Sequence, residues 1–218
     1  MFSQLIHRSV DYDNDPIDYK YFEKLGQSLP LGSETWAAKR KRDYLAGRYC
    51  ANECLSQVAL QGFEIRSNAD RSPIWPSEYC GSITHTKTYA CCVLTSVNQY
   101  RSVGIDSEHK IIETTFKRVK RQIASDKEFD LVKSFIEDDC LALTIIFSCK
   151  EAIFKAIYPL VKKHFYFDAF EITHVQDSYL LGKLLIDLDS SFCKGTCLKM
   201  KFRVIEDRVD ALVTIKNS

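Results

Sequence analysis

Residues 138–158, DDCLALTIIFSCKEAIFKAIY, place the strongest condition on how this chain can fold. Their period is helical, yet apolar residues run around most of the circumference, so such a helix must be covered on most sides. One narrow strip differs. At 3.6 residues per turn, Thr144, Ser148, Glu151 and Lys155 lie within about 60° of one another. Phe147, Phe154 and Tyr158 border the strip, while Ile146 and Ile153 lie well away from it. A polar strip between aromatics on a largely buried helix implies a wet cleft; an internal Glu–Lys pair at i, i+4 is the plainer reading of Glu151 and Lys155. Pro159 is expected to stop the helix.

The rest of the chain can supply that cover. Of 218 residues 45% are hydrophobic, with 13 Phe and 11 Tyr but only 8 Gly and 5 Pro, a balance that argues against disorder. No stretch reaches the roughly 18–20 apolar residues needed to span a bilayer. The first residues, MFSQLIHRSVDYDNDP, lack the apolar run of a secretory signal, so the chain reads as soluble and cytosolic. Its nine cysteines show no compact Cys/His spacing; they read as small buried residues of a reducing compartment, with no structural zinc site. A net charge of +1 gives no global pull toward polyanions.

Along the chain, residues 34–60 read as a long helix with Tyr44, Gly47, Ala51, Leu55 and Val58 on one stripe. Residues 62–78 are rich in turn formers. YCGSITHTKTYACCVLTS reads as paired strands and SVGIDSE as another short strand. One or two helices are expected within 114–136. The tail offers a strand in YLLGKLLIDL, then a hairpin of KMKFRVI and VDALVTI across the turn EDR. Each half thus presents helix first and strands after. That order predicts an α+β chain of two similar lobes, 1–103 and 104–218.

Three local patterns carry chemistry. In AAKRKRDYLAGR, Arg40 and Arg48 fall about 40° either side of Tyr44, on the apolar stripe, whereas Lys39 and Arg42 point away from it. A guanidinium near a core face needs an anion, and a phosphate matches it bidentately. In VGIDSEHK, Asp106 and Glu108 project from one face of a strand and Ser107 from the other. Most such pairs are plain surface charges; set facing one another they repel unless a cation or base lies between, and hard carboxylate oxygens suit Mg²⁺. His85 ends the strand GSITH beside Thr84, where it becomes a phosphate donor if arginines and a cation are near.

Together these segments resemble the 4'-phosphopantetheinyl transferases of the surfactin-synthetase type. Members carry a G-I-D-x-E strand and, roughly 40 residues later, a K-E-[AS]-x-x-K helix; here VGIDSE and FSCKEAIFKA place Glu108 and Lys150 42 residues apart. KRKRDYLAGRYCA, DRSPIWP, GSITHT and IYPLVKKHFYFDAFEIT resemble, in that order, segments of the enterobactin synthase component D branch. The resemblance covers about residues 36–175. Phe147 stands where many relatives have Trp.

The resemblance implies a pseudo-twofold monomer of two α+β lobes with the active site in the cleft between them. It implies transfer of phosphopantetheine from coenzyme A to a carrier-protein serine, with 3',5'-ADP leaving. By motif position, Asp106, Glu108 and Glu151 would hold Mg²⁺, with Mn²⁺ as a substitute. Arg40 and Arg48 would grip the 3'-phosphate, with Arg71 at a nearby basic position. Thr84 and His85 would contact phosphates and Lys155 the pyrophosphate; Lys150 belongs to the motif as a further coenzyme A contact. Glu151, directly or through water on the cation, would take the serine proton. The branch favours a carrier of siderophore or other nonribosomal peptide synthesis and leaves association with a synthetase complex open. Two rival readings remain at this level: a Mg²⁺-dependent nuclease or phosphohydrolase, and a nucleic-acid-binding module built on the basic helix. The inward Arg40/Arg48 spacing and the near-neutral total charge count against both, so no nucleic-acid partner is expected.

Overall fold

A computed structural model describes residues 1, 5–12, 19–24 and 26–217. The acids Asp13 and Asp15 of the N-terminal stretch lie outside the described residues. The chain divides into two compact units, Phe2–Val103 with Asn217–Ser218, and Gly104–Lys216 with Met1. Both combine helices with a sheet, so the architecture is α+β as expected.

In the first unit a three-stranded antiparallel sheet has the order β1 (Ile6–Asp11), β3 (Tyr89–Ser96), β2 (Tyr79–His85). Helix α2 (Ala38–Ser56) packs on it, and the short α1 (Tyr19–Lys24) packs on α2. The core joins Leu45, Ala46, Cys50, Cys54 and Leu55 of α2 to Ala90, Cys92 and Leu94 of β3. Gly47 is small because α2 meets β2 there: a Cβ would stand 2.8 Å from Ile83 Cγ2.

The second unit holds a five-stranded sheet in the order β4 (Ser102–His109), β8 (Arg208–Ile215), β7 (Cys197–Ile205), β6 (Tyr179–Leu184), β5 (Phe170–Gln176). Strands β5 to β8 form an antiparallel meander. Helix α5 (Asp139–Val161) packs on β8 and β7, flanked by α3 (Glu113–Ile123) and α4 (Asp126–Lys133). Ile145, Ile146, Ile153 and Ile157 are sealed in the core, as a helix apolar nearly all round requires. Strand β4 lies directly on α5. A Cβ on Gly104 would come within 2.0 Å of the Ala152 carbonyl oxygen and 3.0 Å of Ala156 Cβ.

Several boundaries differ from the sequence expectation. Helix 34–60 shrinks to Ala38–Ser56, because Ala59 turns left-handed (φ 60°) and Leu60 N–H donates back to Leu55 O. Pro159 does not stop α5. In the last turn it forfeits a single i→i−4 bond, its fixed φ suits a helix, and the chain leaves only at left-handed Lys162. Helices α3 and α4 are separate because Ser125 and Glu128 form a capping box that starts the second. Each unit begins with a strand, β1 or β4, where helix-first order was expected.

Candidate active site

The acid strand and the polar strip of α5 meet within the second unit. Asp106 is 4% exposed, and its Oδ1 accepts a 2.7 Å bond from Lys155 Nζ. Further along β4's path, Ile111 N–H donates to Thr144 Oγ1 at 3.0 Å. Strand and strip therefore run side by side, the strand heading toward the start of the helix. Ser107 points the other way, as its place in the pleat requires. It donates to Asp210 Oδ1 at 2.7 Å, and Arg203 and Arg208 close on the same buried carboxylate. That network backs β4 and keeps Asp106 and Glu108 on the α5 side.

The electrostatics tie the three acids together. Burial, then the Asp106 charge, with a smaller push from Glu151, lifts Glu108 to about 7 against the opposing pull of Lys155. Burial and Asp106 likewise raise Glu151, again opposed by Lys155. Carboxylates this close repel, and Lys155 is the cation that partly offsets them. Among the described residues no three His, Cys, Asp or Glu side chains converge into a ready cation cage. The donor set still fits a hard divalent cation. It offers three carboxylates with excess negative charge, and an ammonium standing on Asp106 in the role of counter-ion.

Lys150 is not part of that group. Its ammonium reaches Glu128 Oε1 at 2.7 Å and the carbonyl oxygens of Ile123 and Phe167, each at 3.0 Å. An ammonium has three N–H donors, so none remains for a nucleotide. Glu128 is saturated too, accepting from the N–H and hydroxyl of Ser125 and from Ile172 N–H. The expected coenzyme A contact at Lys150 is therefore corrected to a buried tie between α5, α4, the end of α3 and β5. Beside it, a cavity of about 200 Å³ is lined by Glu151, Phe154, His164, Phe165 and Phe167 among others.

In the first unit, Arg48 is 8% exposed, donating from Nε to Tyr44 Oη at 3.2 Å and from Nη2 to Ser67 Oγ at 2.8 Å. Arg40 is exposed, its guanidinium 4.0 Å above the Trp36 ring, and Trp36 meets Tyr44 edge-on. Arg40, Trp36, Tyr44 and Arg48 thus form one ladder of alternating cations and rings. Ser67 belongs to the turn that carries exposed Arg71, so Arg48 and the Arg71 turn are tied together. Thr84 is buried and His85 exposed at the end of β2. Lys39 and Arg42, the outward bases, both pair with buried Asp43, which removes half of the apparent basic run.

Three supporting residues escaped the sequence reading. Glu128 had a legible signal in the capping spacing S-D-K-E. Trp36 lies one turn before Arg40. Asp210, an acid inside an apolar strand, carries no sequence signal for its partners.

Two family models match the chain. One, "4'-phosphopantetheinyl transferase N-terminal domain", covers residues 34–95, and the other, "4'-phosphopantetheinyl transferase superfamily", covers residues 102–204. A relative in Mycobacterium tuberculosis, 4'-phosphopantetheinyl transferase PptT, is 30% identical over 169 residues, spanning 75% of this chain and 73% of its own. The 4'-phosphopantetheinyl transferase Npt of Nocardia iowensis is 31% identical over 62% of this chain and 60% of its own. Enterobactin synthase component D of Escherichia coli is 33% identical over 54% of this chain and 55% of its own. In the last two the chain spans less than two thirds of the relative.

Proposed function

The chain belongs to the 4'-phosphopantetheinyl transferase superfamily, and from that premise we propose that it moves the phosphopantetheine arm of coenzyme A onto a serine of an apo carrier protein. The observation that carries the reading is the trio Asp106, Glu108 and Glu151: Lys155 stands on Asp106, and the Asp106 charge raises the proton affinity of the other two carboxylates. These three would hold Mg²⁺ (or Mn²⁺), which when bound would supply positive charge against the pyrophosphate.

The chain's own residues divide the remaining work. The serine oxygen bonds to the pantetheine-side phosphorus as the bond to the bridging oxygen breaks, its electron pair leaving with 3',5'-ADP. Glu151 takes the serine proton; burial and the Asp106 charge raise its proton affinity above that of an ordinary carboxylate. Lys155, whose ammonium stands 2.7 Å from Asp106, would supply positive charge to the pyrophosphate. Thr84 and His85 hold phosphate oxygens. The Arg40–Arg48 ladder and Arg71 fix the 3'-phosphate, so residues 1–103 serve the nucleotide end and 104–218 the reacting phosphate. The aromatic-lined cavity beside Glu151 suits the uncharged pantetheine arm.

Similarity to enterobactin synthase component D supports a carrier from siderophore or other nonribosomal peptide synthesis. No described helix is long and apolar enough to cross a membrane. The test is to mix protein, Mg²⁺, coenzyme A and apo carrier proteins of peptidyl, aryl and fatty-acid type, then weigh the carriers. We expect the mass of one phosphopantetheine on the peptidyl or aryl carriers, abolished by chelator and by Asp106→Ala. A folded protein that modifies no carrier overturns the reading; preference for the fatty-acid carrier overturns the pathway assignment alone.

A further inference from the structure

Ser148 sits on the polar strip of α5 and is fully buried, yet its Oγ has no hydrogen-bond partner. Two other helical hydroxyls behave differently. Thr144, one turn earlier on the strip, donates to Cys140 O at 2.6 Å and accepts from Ile111 N–H. Ser56 in α2 turns back to Asn52 O, the usual resort of a helical serine. A buried hydroxyl left unpaired is costly, and it commonly marks a place where a ligand or water belongs.

The surroundings say which kind. On the helical wheel Ser148 lies within about 20° of Lys155 and 60° of Glu151. Strand β4 covers this strip: Gly104 rests on Ala152 and Ala156, Asp106 meets Lys155, and Ile111 meets Thr144. Between those anchors, Ser148 falls beneath the stretch that carries Asp106 and Glu108. A hydroxyl there, close to carboxylates with excess negative charge, suits a water that has one side on a cation.

Resting on the reading above, we propose that Ser148 is a positioning residue whose Oγ hydrogen-bonds a water entering with the divalent cation. In the metal-free protein the hydroxyl is a defect. In the loaded protein it orients that water and tightens the cation's hold. The same substitution therefore acts in opposite directions on the two states.

The experiment compares wild type with Ser148→Ala in chelator and across a magnesium titration, reading melting temperature and, separately, transfer kinetics. Alanine keeps the helix and removes only the hydroxyl. Expected are a metal-free melting point higher by about 2–4 °C, a smaller magnesium-induced rise, and a half-saturating magnesium concentration raised about tenfold. The KM for coenzyme A should stay unchanged. A lower metal-free melting point in Ser148→Ala means that the hydroxyl is satisfied within the chain, and overturns the inference. Unaltered half-saturation by magnesium overturns it as well. If wild type neither responds to magnesium nor modifies a carrier, the reading of the site itself has failed, and the inference falls with it.

Discussion

Lys150 and Glu151 are neighbours in sequence and lie in opposite kinds of environment. Lys150 has every donor filled, and its partner Glu128 has both oxygens occupied. Glu151 stands among like charges, its proton affinity raised by burial and by Asp106. One step along an α-helix is about 100°, enough to turn one residue into a closed ion pair and the next into an open cluster. Charges that the fold has fully satisfied hold the scaffold, while charges left in conflict are available to a ligand. The motif K-E-A therefore carries two jobs, one for each charge.

That contrast can be broken by substitution. Glu151→Gln should lower carrier modification by about 10²–10⁴-fold, with an unchanged fold by circular dichroism; retained activity would remove Glu151 from the chemistry. Lys150→Met should act on stability first. Leaving Glu128 buried and unpaired costs about 3–5 kcal/mol, readable in urea unfolding, and the double variant Lys150→Met/Glu128→Leu should recover most of it. A Lys150→Met protein of wild-type stability that binds coenzyme A poorly would reverse the assignment. A third change sharpens the comparison in the first unit: Arg48→Lys loses the forked contacts to Tyr44 and Ser67, and should raise the KM for coenzyme A about tenfold with kcat little altered.

The smallest effect is a matter of pH. Glu108 is lifted from 4.5 to about 7, so the folded metal-free chain holds this proton more tightly than the unfolded one. Its contribution is then most favourable below pH 4.5, falls as pH rises through 4.5 to 7, and stays lost above. With the group partly solvated, the expected loss between pH 5 and 8 is on the order of 1 kcal/mol. Glu108→Gln should lack it, and saturating magnesium should reverse the trend in wild type. Parallel stability profiles for the two proteins would contradict the repulsion at this site.

Much of the second unit was legible because its chemistry is periodic. The strip Thr144, Ser148, Glu151, Lys155 and the outward turn of Ser107 follow from 3.6- and 2-residue repeats, and β4 and α5 realise both. Strand β1 was not legible: Ile6–Asp11 is mostly exposed and polar, and it is a strand because β3 offers it an edge. Strand β5 hid behind Tyr166, Phe167 and Phe170, whose aromatic cluster reads equally as loop or core. Lys150 misled because a motif records identity and spacing but not direction. Its partner Glu128 is 22 residues away and reaches it only through tertiary packing.

Gly104 has a consequence for how this protein tolerates change. The two halves of the acid set are kept at their separation by an atom that is absent, since the strand backbone rests on the carbonyl of Ala152. Even a methyl group there would lift the whole strand and carry both of its acids off together. A survey of random variants scored on carrier modification should therefore find a position with no reactive group among the least forgiving in the chain. Exchanging β4 and α5 with a relative should succeed only when they travel as a pair.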